Sequence, residues 1–218
     1  MWTLGLHSNM NFPAPLSIVG FLGVIAGLVL MAIVVAVAFV AGKRKFAELL
    51  LKLGVAAAVA YTGLLLGLSL ASREVVLARG EEKYFCEIDC HLAYSVVDVK
   101  AAPEDNGRQI HYLVSLRTRF DESTISSHRP KDAPLTPNRR VLRIEDAQAR
   151  EYRVAETGGT PLSSSLVPGQ SYLTELDFVV PSDATDLRLL VASAPQWEDH
   201  VLIGCENSWL HKKTWFRL

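Results

Sequence analysis

Charged residues are missing from two stretches of the chain, 16–41 and 53–72, which are 26 and 20 residues long. A helix rises 1.5 Å per residue, so about 20 apolar residues cross the roughly 30 Å hydrocarbon layer of a bilayer. Both stretches reach that length. Their non-apolar members are mainly Gly, Ser, Thr and Tyr61, and no polar stripe recurs at helical spacing as it would on the outer side of a water-soluble helix pair. The pattern predicts a membrane anchor over residues 1–72, with transmembrane helices at about 16–41 and 48–72.

Beyond Ser72 the period changes from helical to two. Apolar residues alternate with polar ones through Tyr84, Cys86, Ile88, Cys90, Leu92, Tyr94 and Val96, again through Ile110, Tyr112, Val114, Leu116, Thr118 and Phe120, and through Tyr172, Thr174, Leu176, Phe178 and Val180. This is the signature of strands with one buried face. Shorter strands are expected at 141–144, 151–154, 187–192, 201–203 and 213–218, with turn chemistry at 104–107, 158–159, 168–169 and 181–183. Seven to nine short strands without an amphipathic helix predict a single β-domain over residues 73–218: an all-β, immunoglobulin-like antiparallel sandwich, with an antiparallel barrel as the alternative.

Charge orients the anchor. The connection between the apolar runs carries Lys43, Arg44, Lys45 and Lys52, whereas the segment before the first run has no Lys or Arg. Cationic loops stay on the cytoplasmic side, so both termini and the β-domain are expected outside. A cleaved signal peptide does not fit a run this long, with no basic segment before it and a Lys-Arg-Lys stop after it. Gly23 with Gly27, and Gly63 with Gly67, have the spacing that lets helix backbones approach closely, and tight pairing within the hairpin is expected. No Asp, Glu, Lys, Arg or His interrupts either run, so nothing suggests an ion path.

The order Tyr112-Leu-Val-Ser-Leu116, Val141-Leu-Arg-Ile-Glu-Asp-Ala147 followed by Glu151-Tyr152, then Leu166-Val-Pro-Gly-Gln-Ser171 leading to Leu176-Asp-Phe-Val-Val-Pro181 resembles a family of exported, immunoglobulin-like bacterial domains of unknown function. The resemblance covers roughly residues 83–193. It implies a sandwich fold and a position outside the bacterial inner (cell) membrane, periplasmic or extracellular, but no reaction.

Two parts of the chain depart from the resemblance, the Cys-rich segment at its start and the tail from Val201 onward, and they hold the chemistry-bearing residues. Cys86-Glu-Ile-Asp-Cys90-His91 offers two thiolates and an imidazole. With His211 added, the set is a candidate soft-metal site, copper above all, because sulfur suits Cu(I); a c-type haem site would be one residue longer than usual. The two-helix anchor with an outer β-domain also resembles subunit II of haem-copper oxidases, although Tyr94 stands where that motif has His. On one regular strand, Cys86 and Cys90 would lie about 13 Å apart on the same face, too far to bond each other unless a bulge or turn breaks the strand, so buried thiols or a bridge from Cys205 to Cys86 or Cys90 are expected.

Near the end of the chain, Trp209, Lys212 and Lys213 form a candidate partner surface for a membrane or envelope protein or for the lipid bilayer. Residues 121–132 open a long polar loop with Ser, His and acidic groups but no nucleophile motif. Net charge is −1 and the cations are few, which excludes a nucleic-acid partner. The expectation is a non-enzymatic, membrane-tethered binding or accessory module needing no cofactor. The alternative is a copper or thiol-redox protein that assists assembly of respiratory complexes through Cys86 and Cys90.

Overall fold

The computed structural model describes residues 7–86, 90–104, 107–125, 130 and 132–218. Two long helices, α1 (Ala14–Val40) and α2 (Arg44–Ala71), are joined by a short turn and are long and apolar enough to cross a membrane. Their large aliphatic side chains are mostly exposed, Val19, Val29, Ile33, Leu51 and Val59 among them. α1 starts after Pro13, and Pro15 in its first turn supplies helical φ where no amide donor is needed. The turn between the helices carries Gly42 at φ 74°, a left-handed position that glycine adopts without a steric penalty.

The helices do not pack through their paired glycines. A Cβ built at Gly23, Gly27, Gly63 or Gly67 would meet nothing within 4 Å, whereas at Gly54 it would lie 2.9 Å from Met31 Sδ. The close approach is therefore at Gly54, whose missing side chain makes room for a methionine, and the expected Gly-x-x-x-Gly pairing within the hairpin is corrected.

The strands are β1 (His7–Ser8), β2 (Val75–Leu77), β3 (Lys83–Cys86), β4 (Cys90–Pro103), β5 (Gln109–Phe120), β6 (Arg140–Glu145), β7 (Glu151–Arg153), β8 (Glu156–Gly159), β9 (Ser171–Pro181), β10 (Arg188–Ser193) and β11 (Thr214–Arg217). They form two sheets, of order β1-β3-β4-β5-β9-β8 and β2-β11-β10-β6-β7. One apolar core draws Phe85, Tyr94, Phe120 and Phe178 from the first sheet and Ile144, Leu189 and Phe216 from the second. The two-helix, two-sheet sandwich follows the hydropathic reading, but the sheets are not wholly antiparallel. The short edge strands β1 and β2 pair parallel to β3 and β11.

Two buried cations link the sheets. Lys83 of the first sheet is fully buried, and its Nζ donates to the carbonyls of Val191 at 2.6 Å and Thr214 at 3.2 Å in the second. Arg140 of the second sheet sits 4.2 Å from the Phe85 ring centroid and donates from Nε to Tyr94 Oη at 3.2 Å. Such ammonium and guanidinium groups are tolerated in a core only with hydrogen-bond or aromatic partners of this kind.

The chain falls into two compact units. Among described residues, one contains 7–10, 73–195 and 212–218, the other 11–72 and 196–211. Residues 201–203, expected as a strand, end a 3-10 turn (Glu198–Val201) and continue irregularly. Gly158 and Gly159, expected as a turn, belong to β8 and pair with β9.

Candidate functional site

The alternation through residues 84–96 is two strands, not one. β3 and β4 run antiparallel, with Phe85 opposite Leu92, Tyr84 opposite Ala93 and Lys83 opposite Tyr94. Partners in an antiparallel ladder share a face, so even positions of β3 match odd positions of β4. Tyr84 therefore faces outward while Leu92, Tyr94 and Val96 face the core. The single-strand parity breaks at a chain reversal that unbroken period-two patterning conceals.

That reversal brings the cysteines together. Cys86 and Cys90 are register partners with Cα atoms 4.0 Å apart, joined by a disulfide. The expected separation of about 13 Å and the expected bridge from Cys205 to either cysteine are both corrected. Cys205 is a buried thiol outside the bridge, in the helical unit. The hairpin is also held by Asn9, whose Oδ1 accepts from the Cys86 amide at 2.7 Å.

The disulfide takes two of the four candidate metal ligands, Cys86 and Cys90. In the disulfide neither sulfur is a thiolate. His91 is buried, its ring stacked on Phe120 with centroids 5.6 Å apart. Its Nδ1 lies 2.6 Å from Thr124 Oγ1, which donates its own proton to the Asp121 carbonyl at 2.8 Å. Nδ1 is therefore the protonated donor toward Thr124. His211 belongs to the other compact unit, where Asn11 Nδ2 donates to its Nε2 at 3.0 Å. Among the described residues no three His, Cys, Asp or Glu side chains gather as a metal site.

Next to the hairpin, on the outward face of the first sheet, lies a polar cluster that strand periodicity alone did not reveal. Arg119 donates to Glu82 through Nε at 2.8 Å and Nη2 at 2.6 Å, and through Nη2 to Tyr84 Oη at 3.0 Å and Asp121 Oδ2 at 3.2 Å. Tyr84 in turn donates to Asp121 Oδ2 at 2.6 Å, and Asp121 Oδ1 caps the 3-10 turn Glu122–Thr124 through the Ser123 amide. Arg117 extends the cluster to Ser95. The hint in the sequence was the Arg-x-Arg-x-Asp spacing of Arg117, Arg119 and Asp121, which places three charges on one strand face.

The cluster fixes ionisation states. The hydrogen bond from Arg119 holds Glu82 below the usual carboxylate range against its burial. Burial works to raise Asp121, but hydrogen bonds from Tyr84, Ser123 and Arg119 outweigh it and bring its pKa to about 2. Tyr84 is raised, first by burial and then by its bond to Asp121. It is a phenol donor at neutral pH rather than a base. Arg119, raised above its ordinary value mainly by Glu82, is neutralised by two carboxylates. The result is a hydrogen-bonded cluster of alternating charge beside the disulfide.

Of the proposed C-terminal surface, Trp209 and Lys212 are exposed and Lys213 is half-buried, while Trp215 and Phe216 are core residues of β11. In the loop after Asp121, residues 126–129, which include His128, and residue 131 lie outside the described residues, as do residues 105 and 106 of the turn after β4. Gly107 still closes that turn by donating to the Glu104 carbonyl at 2.8 Å.

No protein-family model matches this chain, and no curated protein does. Among solved structures, MPT63, a secreted protein from Mycobacterium tuberculosis, aligns at a TM-score of 0.43 and 10% identity, over 67% of this chain and 98% of that one. A likeness of that size carries no argument about what this chain does.

Proposed function

We propose that the chain is a membrane-tethered, extracytoplasmic binding or accessory module of the bacterial inner membrane, non-enzymatic, recognising a membrane or envelope protein through the outward face of its first sheet. The observation that carries this reading is an agreement between two independent features. The cations at Lys43, Arg44 and Lys45 orient the helix turn toward the cytoplasm, and the Cys86–Cys90 disulfide belongs in an oxidising compartment. Both support an outer position for the sandwich.

The face offers what a partner reads. The row Ser95, Arg117 and Leu173 crosses β4, β5 and β9, and Leu173 is an exposed large aliphatic side chain beside the fixed charges of the cluster. An apolar contact rimmed by ordered charge is a common interface composition.

A photo-crosslinking residue placed at Leu173 in the full chain, irradiated in cells, tests the reading. Adducts of discrete mass that vanish without light are expected. Irradiation that returns only uncrosslinked chain, from Leu173 and from the exposed Val97 alike, would overturn it.

A second reading rests on the disulfide itself. A bridge between cysteines four apart in sequence, with Cys86 buried and Cys90 half-buried at a hairpin end, is also what a thiol-redox protein presents. Copper binding by this pair, in support of respiratory complex assembly, requires prior two-electron reduction to thiolates.

A further inference from the structure

Residues 196–211 leave the sandwich after β10, return to it before β11, and group with the helices. Contacts inside that unit set their level along α1 and α2. Ser17 Oγ donates to the Ile203 carbonyl and Tyr61 Oη to the Val201 carbonyl, each at 2.7 Å. The Trp197 ring stands edge-on to Phe21, 6.4 Å between centroids. Gly204, at φ 75°, lies against Phe12 so closely that a Cβ there would fall 2.5 Å from Phe12 Cβ. The segment is seated on the helices at that level.

Three of its large apolar side chains are uncovered. Trp197 is 73% exposed, Trp209 54% and Leu210 61%. The Trp209 amide donates to the His200 carbonyl at 3.2 Å, which holds the second indole near the stretch that Tyr61 anchors. Leu210 adopts φ 64°, an unfavourable backbone region for a branched side chain.

Two constraints say what covers it. A 30 Å hydrocarbon layer takes up about 20 helical residues, and counting 20 residues back from Val40, next to the cationic turn, ends at Phe21. On α2, where Glu48 and Lys52 precede the uncharged run, Tyr61 is placed at that level by its ring contact with Phe21, 6.4 Å between centroids. The contacts of the segment thus fall at the outer boundary of the hydrocarbon. Irregular backbone cannot lie deeper against lipid, because its amides and carbonyls would lose their partners, and exposed indoles concentrate at this boundary.

We infer that residues 196–211 form a collar in the outer headgroup layer of the bilayer, with Trp197, Trp209 and Leu210 directed to the acyl boundary. This inference rests on the membrane-tethered reading. Glu198, Asp199 and Glu206 give the segment no cationic excess, so its partner is the apolar interface itself rather than an anionic headgroup.

The test uses the full chain, with Trp2 replaced by Phe, reconstituted in phosphatidylcholine vesicles. Lipids brominated near the headgroup are expected to quench its tryptophan fluorescence about twofold more than lipids brominated near the acyl terminus, as for interfacial indoles. The substitutions W197F and W209F together should remove more than half of that quenching, because the remaining Trp215 is buried. Acrylamide, which needs no further substitution, should quench less in vesicles than in a dilute mild detergent. Chain that floats with the vesicles but shows acrylamide-accessible, bromine-insensitive tryptophans would overturn the collar and leave the tether standing. Chain that does not float would overturn both.

Discussion

Replacing Tyr94 by Ala is expected to lower the stability of the sandwich by about 4 kcal/mol, the range for deleting a buried aromatic ring. Tyr94 is fully buried and packs edge-on against Phe85, with ring centroids 5.0 Å apart. Its hydroxyl accepts from Arg140 of the opposite sheet, and the Arg140 guanidinium lies 5.4 Å from its ring centroid. Truncation would open a cavity where the sheets meet and remove a partner of a buried cation. Tyr94→Phe keeps the ring and removes only the hydroxyl, which should cost about 1 kcal/mol. Thermal unfolding of the full chain in a mild detergent reads both. Equal losses for the two variants would show that Arg140 and Tyr94 are not packed across the sheets as described.

Removing the disulfide by replacing Cys86 and Cys90 with Ala is expected to cost about 2 kcal/mol. The closed loop has five residues, from Cys86 to Cys90, and the chain-entropy relation gives about that value for so short a loop. For a domain of this size it corresponds to a fall in Tm of roughly 5–10 °C. Reducing the unmodified protein should produce the same shift, and the Ala variant should be indifferent to reductant. A wild-type midpoint unmoved by reductant would mean that the bridge is not part of the folded domain.

The hydropathic pattern made the large divisions of this chain readable, because both signals it carries are long. An uncharged run of 20 or more residues has few folded alternatives. The period-two segments that became β5 and β9 are long, with alternate residues such as Val114, Leu116, Leu176 and Phe178 buried in the core. β3 and β4 were run together because the hairpin between them has apolar residues on both arms. Parity counted through a reversal gives the wrong face to every residue after it. The disulfide was misassigned for the same reason: distance along a strand is meaningless once the strand has turned.

Other features were hidden by their nature. The edge strands β1 and β2 have only two and three residues and gain their strand character from the neighbours they pair with, which no local pattern shows. The polar cluster joins residues as distant as Glu82 and Asp121, so its members look like separate surface charges until β3 and β5 are brought into one sheet. Trp209 read as one end of a partner surface with Lys212 and Lys213. In the fold it belongs to the same irregular segment as Trp197, and its amide donates to the His200 carbonyl.

The chain has three cysteines, and counting its thiols in intact cells most directly tests the claim that the sandwich is an outer, disulfide-held module. Acid quenching followed by denaturation and alkylation with a mass-shifting maleimide, without reductant, reports every thiol that was not in a bridge. One label per chain is expected, at Cys205, rising to three after reduction. Three labels without reductant would place Cys86 and Cys90 in a reducing compartment and contradict both the bridge and the orientation.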